Sequence, residues 1–125
     1  MVLLWEFMTP IFIEYSRVPV VVSKITGMNI WAVSFAFWVF GKGTLGNITR
    51  QHETIHFKQQ LELLFIFQWI LYGLFWLIGM IIYRSNYQSY THNPFELEAY
   101  THQQTKDYLD SRRIFAWWGF MWWVK

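Results

Sequence analysis

Asn47 to Tyr83 reads NITRQHETIHFKQQLELLFIFQWILYGLFWLIGMIIY. No proline interrupts it, and none follows until Pro94. Helix is the natural reading from Asn47 or Thr49, either of which can cap it. The first part carries His52-Glu53-Thr54-Ile55-His56. The rest, Leu63 to Tyr83, is a 21-residue stretch whose only strongly polar member is Gln68. One chain must therefore house a polar helical motif and, directly after it, a run that is apolar on all sides.

The motif has the pattern HExxH. On a helix, residues four apart share a face, about 6 Å apart along the axis. Both imidazoles can then converge on one Zn²⁺ with bonds of about 2.0–2.1 Å. Glu53 sits about 100° round from His52. From there it reaches a water on the metal without being a ligand. Zinc lowers the pKa of that water from about 15.7 toward about 7, and a carboxylate can take its proton. A histidine pair alone would more often be structural; the interposed glutamate gives each position its own task.

By hydropathy, residues 61–83 form a membrane segment. The other reading is a helix buried in a soluble core, but 125 residues can hardly surround a helix apolar all round. Only 14% of residues are charged, against about 25% in an ordinary soluble domain. The 54% hydrophobic content excludes disorder, and the length allows one domain, not a multi-domain enzyme. Nine Trp, seven Tyr and twelve Phe suit a boundary between water and an apolar phase. Without cysteine there is no disulfide framework, thiolate metal site or cysteine nucleophile. A net charge of +2 from scattered basic residues gives no nucleic-acid stripe. The N-terminus lacks a basic start, and Glu6 and Pro10 interrupt it, so no secretory signal is expected.

Outside this stretch, residues 18–25, VPVVVSKI, read as a strand, and 26–29 as a turn. The apolar run 30–40, IWAVSFAFWVF, is too short to span a bilayer as a helix. Its composition favours a buried strand, with a helix as the alternative. Gly41 to Gly46 is a loop, and no conformation is assigned to residues 1–16. After Arg84 the chain turns polar. Asn93-Pro94 starts a polar amphipathic helix that runs to about Asp110. The tail, residues 112–125, holds Trp117, Trp118, Trp122 and Trp123. Such a tail suits the headgroup layer, or packs on the hydrophobic helix.

A catalytic zinc site takes three protein ligands and leaves one position open. Besides the motif there are His92, His102, Glu96, Glu98, Asp107 and Asp110. Glu96 and Glu98 lie in the first two turns of the helix opened by Pro94. A carboxylate there also suits the helix dipole, and Glu98 with His102 at i+4 can make a surface pair.

HETIH followed by a glutamate-bearing helix resembles the gluzincin class of zinc metallopeptidases. With an apolar helix beside it, the arrangement looks like membrane peptidases of the CAAX-prenyl-protease type. Their later helix reads E-x-x-A-D, and its first glutamate is the third ligand. Glu96-Leu97-Glu98-Ala99-Tyr100 matches E-x-x-A, with Tyr100 in place of the aspartate. HETIHFKQQLELL with NPFELEAY and YLDSRR also looks like small HExxH proteins of bacteria and their phages. The resemblance covers roughly residues 48–113. It implies metal ligation by His52, His56 and Glu96, with Glu98 in reserve, and Glu53 as general base. Tyr100 can donate to a ligand or to a developing oxyanion, and His102 stands beside it as a further candidate around the site. Gln59, Gln60 and Glu62 can orient the ligands or merely solvate the helix.

These expectations meet a geometric conflict. A straight helix from Phe57 to Tyr83 rises about 40 Å. The return, Arg84 to Phe95, reaches about 40–43 Å fully extended and would cross lipid as unpaired backbone. Either the run bends into a hairpin near Gly73 or Gly79 and stays in one leaflet, or it spans and the third ligand comes from another chain, Glu6 or Glu14. The hairpin is preferred because it keeps the E-x-x-A match.

The expected fold is mainly helical α+β, with a minimal zincin-like core. The expected function is a membrane-associated zinc metallopeptidase that hydrolyses peptide or protein substrates, with the 30–40 strand pairing to the substrate backbone. The alternatives are a non-catalytic membrane interaction protein and a zinc-binding relative without activity.

Overall fold

The computed structural model describes residues 8–121. Glu6, Trp122 and Trp123 lie outside them. Along the chain run β1 (Ile11–Ile13), α1 (Val18–Thr26), β2 (Ala32–Phe35), β3 (Trp38–Gly41), α2 (Asn47–Glu62), α3 (Ile66–Tyr83), α4 (Asn86–Thr91), α5 (Pro94–His102), α6 (Tyr108–Ser111) and a 3-10 helix (Ala116–Phe120). The class is mainly helical α+β, as the composition and periodicity suggest. The sheet has order β1-β3-β2, with β3 parallel to β1 and antiparallel to β2.

Three expectations about the elements need correction. Residues 18–26 form a helix, not a strand. Pro19 presets the first turn, Ser23 and Thr26 return their hydroxyls to Pro19 O and Val22 O, and Gly27 closes the end at φ 73°. These local signals override the β-branched composition. The run 30–40 is two strands joined at Ala36-Phe37, not one. The helix opened by Asn93-Pro94, whose Asn93 side chain accepts from Phe95 N–H, ends at His102, and α6 resumes only at Tyr108.

The geometric conflict is resolved by a break that nothing in the composition announces. Helix α2 stops at Glu62, and Leu64 and Phe65 take positive φ values of 54° and 62°. Phe65 N–H reaches back to Gln60 O. No glycine or proline marks the site, and left-handed backbone at such residues costs of order 1–3 kcal/mol each. Helix α3 then runs unbroken through Gly73 and Gly79, so neither glycine is a bend. Gly79 serves close packing instead: a Cβ there would meet Ser89 at 2.5–3.1 Å. Ser89 donates its hydroxyl to Trp76 O, which seats α4 directly on α3. The chain therefore returns as helix with its backbone paired, and α5 comes back beside α2.

Three different surroundings explain why α3 is apolar all round. Phe75 and Gly79 are buried; Phe75 packs with Phe95 and Trp117. Trp69, Tyr72, Gly73, Trp76 and Met80 line a cavity. Ile70, Leu74, Leu77 and Ile81 form an exposed stripe. The helix is long and apolar enough to cross a membrane, with a mean hydropathy of 1.8. The tail divides in the same way: Trp117 is buried, Trp118 is 66% exposed.

Candidate metal centre

Helix α2 is buried from His52 to Leu61 although most of those residues are polar. Burial of polar groups requires partners. Thr54 finds one within α2, at Arg50 O, while Lys58 donates to Met8 O and Gln60 spans Ser34 and Ala36 of the β2–β3 hairpin, and these two fix the helix. The helix is thus locked axially and in rotation before the motif is considered.

His52 and His56 direct their Nε2 atoms at each other, 3.2 Å apart. Helix α5 brings Glu96 Oε1 to 3.2 Å from the first and 3.0 Å from the second. Tetrahedral coordination with bonds of about 2.0–2.1 Å separates neighbouring ligand atoms by about 3.3 Å, close to all three observed edges. Glu53 adjoins this triangle. Ligand atoms of His52, Glu53 and His56 all lie within 4.8 Å of one another, a buried group that can hold a metal ion. Its Oε2 is buried with no hydrogen-bond partner, an acceptor left for something not part of the chain.

Outer contacts aim each candidate ligand. Gln59 settles the tautomer of His56. Its Nε2 donates to Phe95 O and to Glu98 Oε1. Its Oε1 therefore faces His56 Nδ1, at 2.8 Å, and that nitrogen must carry the proton. Nε2 of a neutral His56 is then a lone pair aimed into the triangle. Gln103 Oε1 stands 2.8 Å from His52 Nδ1 in the same role. Tyr72 donates to Glu96 Oε2 at 2.7 Å. Three lone pairs so arranged repel one another unless a cation, metal or proton, lies among them.

The ionisation directions agree. Burial pushes Glu53 up to about 7, against the pull of His56 and His52. Burial also disfavours charge on His56, but Glu96 outweighs it by charge and hydrogen bond, raising His56 to about 10. For Glu96 burial is likewise overcome, by His56 and His52, and its carboxyl stays well below the usual range.

Glu98 does not join the triangle. It is fully buried, and its oxygens accept from Gln59, Tyr108 and Arg112. Arg112 also forks onto both oxygens of Glu62 at 2.8 and 3.0 Å. Glu98 is therefore an anchor for the tail, neither a reserve ligand nor the surface partner of His102. Glu62 belongs to the same anchor. His102 stacks on Tyr108 at 3.9 Å and bonds Thr105, away from the ligands. Glu14 accepts from Leu45 N–H and Arg50, so it too is engaged elsewhere. Tyr100 sets its ring edge-on to His52 at 4.4 Å and shares a 2.9 Å hydroxyl contact with Tyr90. Tyr72, Tyr90 and Gln103 carry no pattern in the sequence that points to the site.

Glu53, His56 and Glu96 line a cavity of about 760 Å³ walled by α1, β2 and α3. The chain matches no family model, no curated protein and no solved structure, so its function is argued from these side chains alone.

Proposed function

We propose that the protein is a membrane-associated zinc metallopeptidase with a minimal zincin-like core. The observation that carries this is the triangle of His52 Nε2, His56 Nε2 and Glu96 Oε1, with the unpartnered Oε2 of Glu53 beside it. A two-nitrogen, one-oxygen donor set of this size suits Zn²⁺. Zinc held there supplies Lewis acidity toward water and a carbonyl oxygen.

The remaining work falls to the chain. Glu53, with a pKa near 7 caused by burial, takes a proton from water at Oε2 and returns it to the leaving nitrogen. Gln59, Gln103 and Tyr72 keep the ligands aimed. Tyr90 lines the cavity and bonds Tyr100, so this hydroxyl pair is the donor toward the substrate oxygen. β2 lies at the sheet edge beside the site, but Gln60 already bonds Ser34 O and Ala36 N–H there, which leaves little of that edge for an extended peptide.

The Ile70-Leu74-Leu77-Ile81 stripe enters one leaflet. Polar α4 packs along the end of α3 and would otherwise be drawn into hydrocarbon, which favours a monotopic attachment over a span. The deciding experiment is metal analysis with peptide hydrolysis assays of wild type and Glu53→Gln. One zinc per chain in both, with hydrolysis lost only in the variant, supports the reading. Absence of metal from the folded wild type, or full activity in Glu53→Gln, removes it.

A further inference from the structure

We propose that the cavity leading from the metal centre is an acyl-chain site, so that the amide cleaved there is one whose acyl part is a long aliphatic chain. The choice of ligand follows from what the walls leave unpaired. Trp69, Tyr72, Gly73, Trp76 and Met80 mark one stripe of α3 along the cavity, and Trp69 to Met80 spans about 16 Å of helix. Facing it are apolar side chains of α1 and β2 such as Val22, Ile25 and Val33.

Most polar groups in these walls are already spent on one another, Gln68 on α3 excepted. Trp76 Nε1 donates to Asn86 Oδ1, and Asn86 Nδ2 donates to Thr26 O. Gln60 is committed to Ser34 and Ala36. A peptide carries a donor and an acceptor at nearly every residue. Laid between α1 and α3 it would leave them unsatisfied, at a cost that burial of its side chains does not cover. An aliphatic chain carries neither. The ionisable side chains that line the cavity are Glu53, His56 and Glu96, with the phenols of Tyr72 and Tyr90, and the carbonyl of such an amide belongs beside them. The exposed stripe of the same helix borders a phase rich in such chains.

The reaction needs water alone. Its oxygen bonds to the acyl carbon, the C–N bond breaks, and the nitrogen leaves as an amine with the proton carried by Glu53. The products are a fatty carboxylate and the amine. The assignment of the carbonyl rests on the hydrolase reading; the chain site does not.

The test uses the full chain in phosphatidylcholine nanodiscs, titrated with N-acylglycines of about eight to eighteen carbons, with empty nanodiscs subtracted. It is run on metal-loaded and metal-free protein. Affinity, referred to the free aqueous ligand concentration, should rise about fourfold per methylene and then level off where the cavity is full. Gly73 opens onto space, with nothing within 4 Å of a Cβ there. Gly73→Leu should therefore keep the fold and exclude long chains, while Met80→Trp moves the plateau to shorter ones. Circular dichroism confirms that each variant is folded. Affinity that climbs without a plateau, or that ignores both substitutions, overturns the acyl site. A plateau in protein that binds no metal upholds it while the hydrolase reading fails. Hydrolysis of short amides without chain-length dependence does the reverse.

Discussion

Tyr72 donates its hydroxyl to Glu96 Oε2 at 2.7 Å, while Oε1 of the same carboxylate faces both imidazoles. Helix α3 thus reaches the candidate ligand through one phenol. Removing that donor leaves Glu96 free to rotate. Tyr72→Phe should lower zinc affinity about 10- to 100-fold with little change in helix content, read by competition with a chromophoric chelator. Unchanged affinity would detach α3 from the metal centre.

Arg112 is the common clasp of Glu62 and Glu98. All three side chains are almost wholly buried, and the guanidinium pKa is raised because the two carboxylates outweigh burial. Arg112→Met leaves two buried carboxylates without a cation, a loss of about 3–5 kcal/mol. Arg112→Lys cannot reproduce the fork and should recover only part. Denaturant titration reads both. Because Glu98 also fixes Gln59, the methionine variant should bind zinc more weakly as well.

Metal binding should depend on pH in a definite direction. In metal-free protein Glu96 holds the His56 pKa up at about 10, and that proton must leave before Nε2 can ligate. Affinity should therefore rise about tenfold per pH unit from neutrality toward pH 10 and flatten above it. Hydrolysis has a second limb. Glu53 accepts a proton only when ionised, so the rate should fall on the acid side as its carboxylate becomes protonated. Calorimetry in buffers of differing ionisation enthalpy checks the first, and a pH–rate profile the second. A pH-independent affinity would refute the coupling.

The chain contains no cysteine, so single cysteines report cleanly on the bilayer. In sealed vesicles, Leu77→Cys and Ile81→Cys should resist a charged maleimide. Tyr87→Cys, at a position 68% exposed, should label from the same side as Lys106→Cys. Labelling of Tyr87→Cys only from the opposite side would establish a span and end the monotopic reading.

The legible parts of this fold and site are those whose chemistry is local. His52, Glu53 and His56 need only the helix period to be placed together, and Asn93-Pro94 is a start signal complete in itself. The choice between Glu96 and Glu98 is different. Two residues apart, they point about 200° apart on a helix, and nothing in their neighbourhood ranks them except a family likeness. In the fold Arg112, Tyr108 and Gln59 claim Glu98 and leave Glu96 for the histidines. The break at Leu64-Phe65 was hidden because tertiary packing imposes it on residues that prefer helix. Val18–Thr26 misled through composition, since its helix depends on a proline, two returned hydroxyls and a glycine cap.

The left-handed pair at Leu64-Phe65 sets a count. Six residues separate Phe65 from Tyr72, and every position on α3 is phased from that point. One extra residue between them would turn the rest of the helix by about 100° and advance it by about 1.5 Å. Tyr72 would swing off Glu96, and Trp76 and Met80 would rotate out of the cavity wall. Substitutions can drift freely along the outer stripe, but this segment's length cannot change, so related chains should keep an invariant spacing there even where the letters differ.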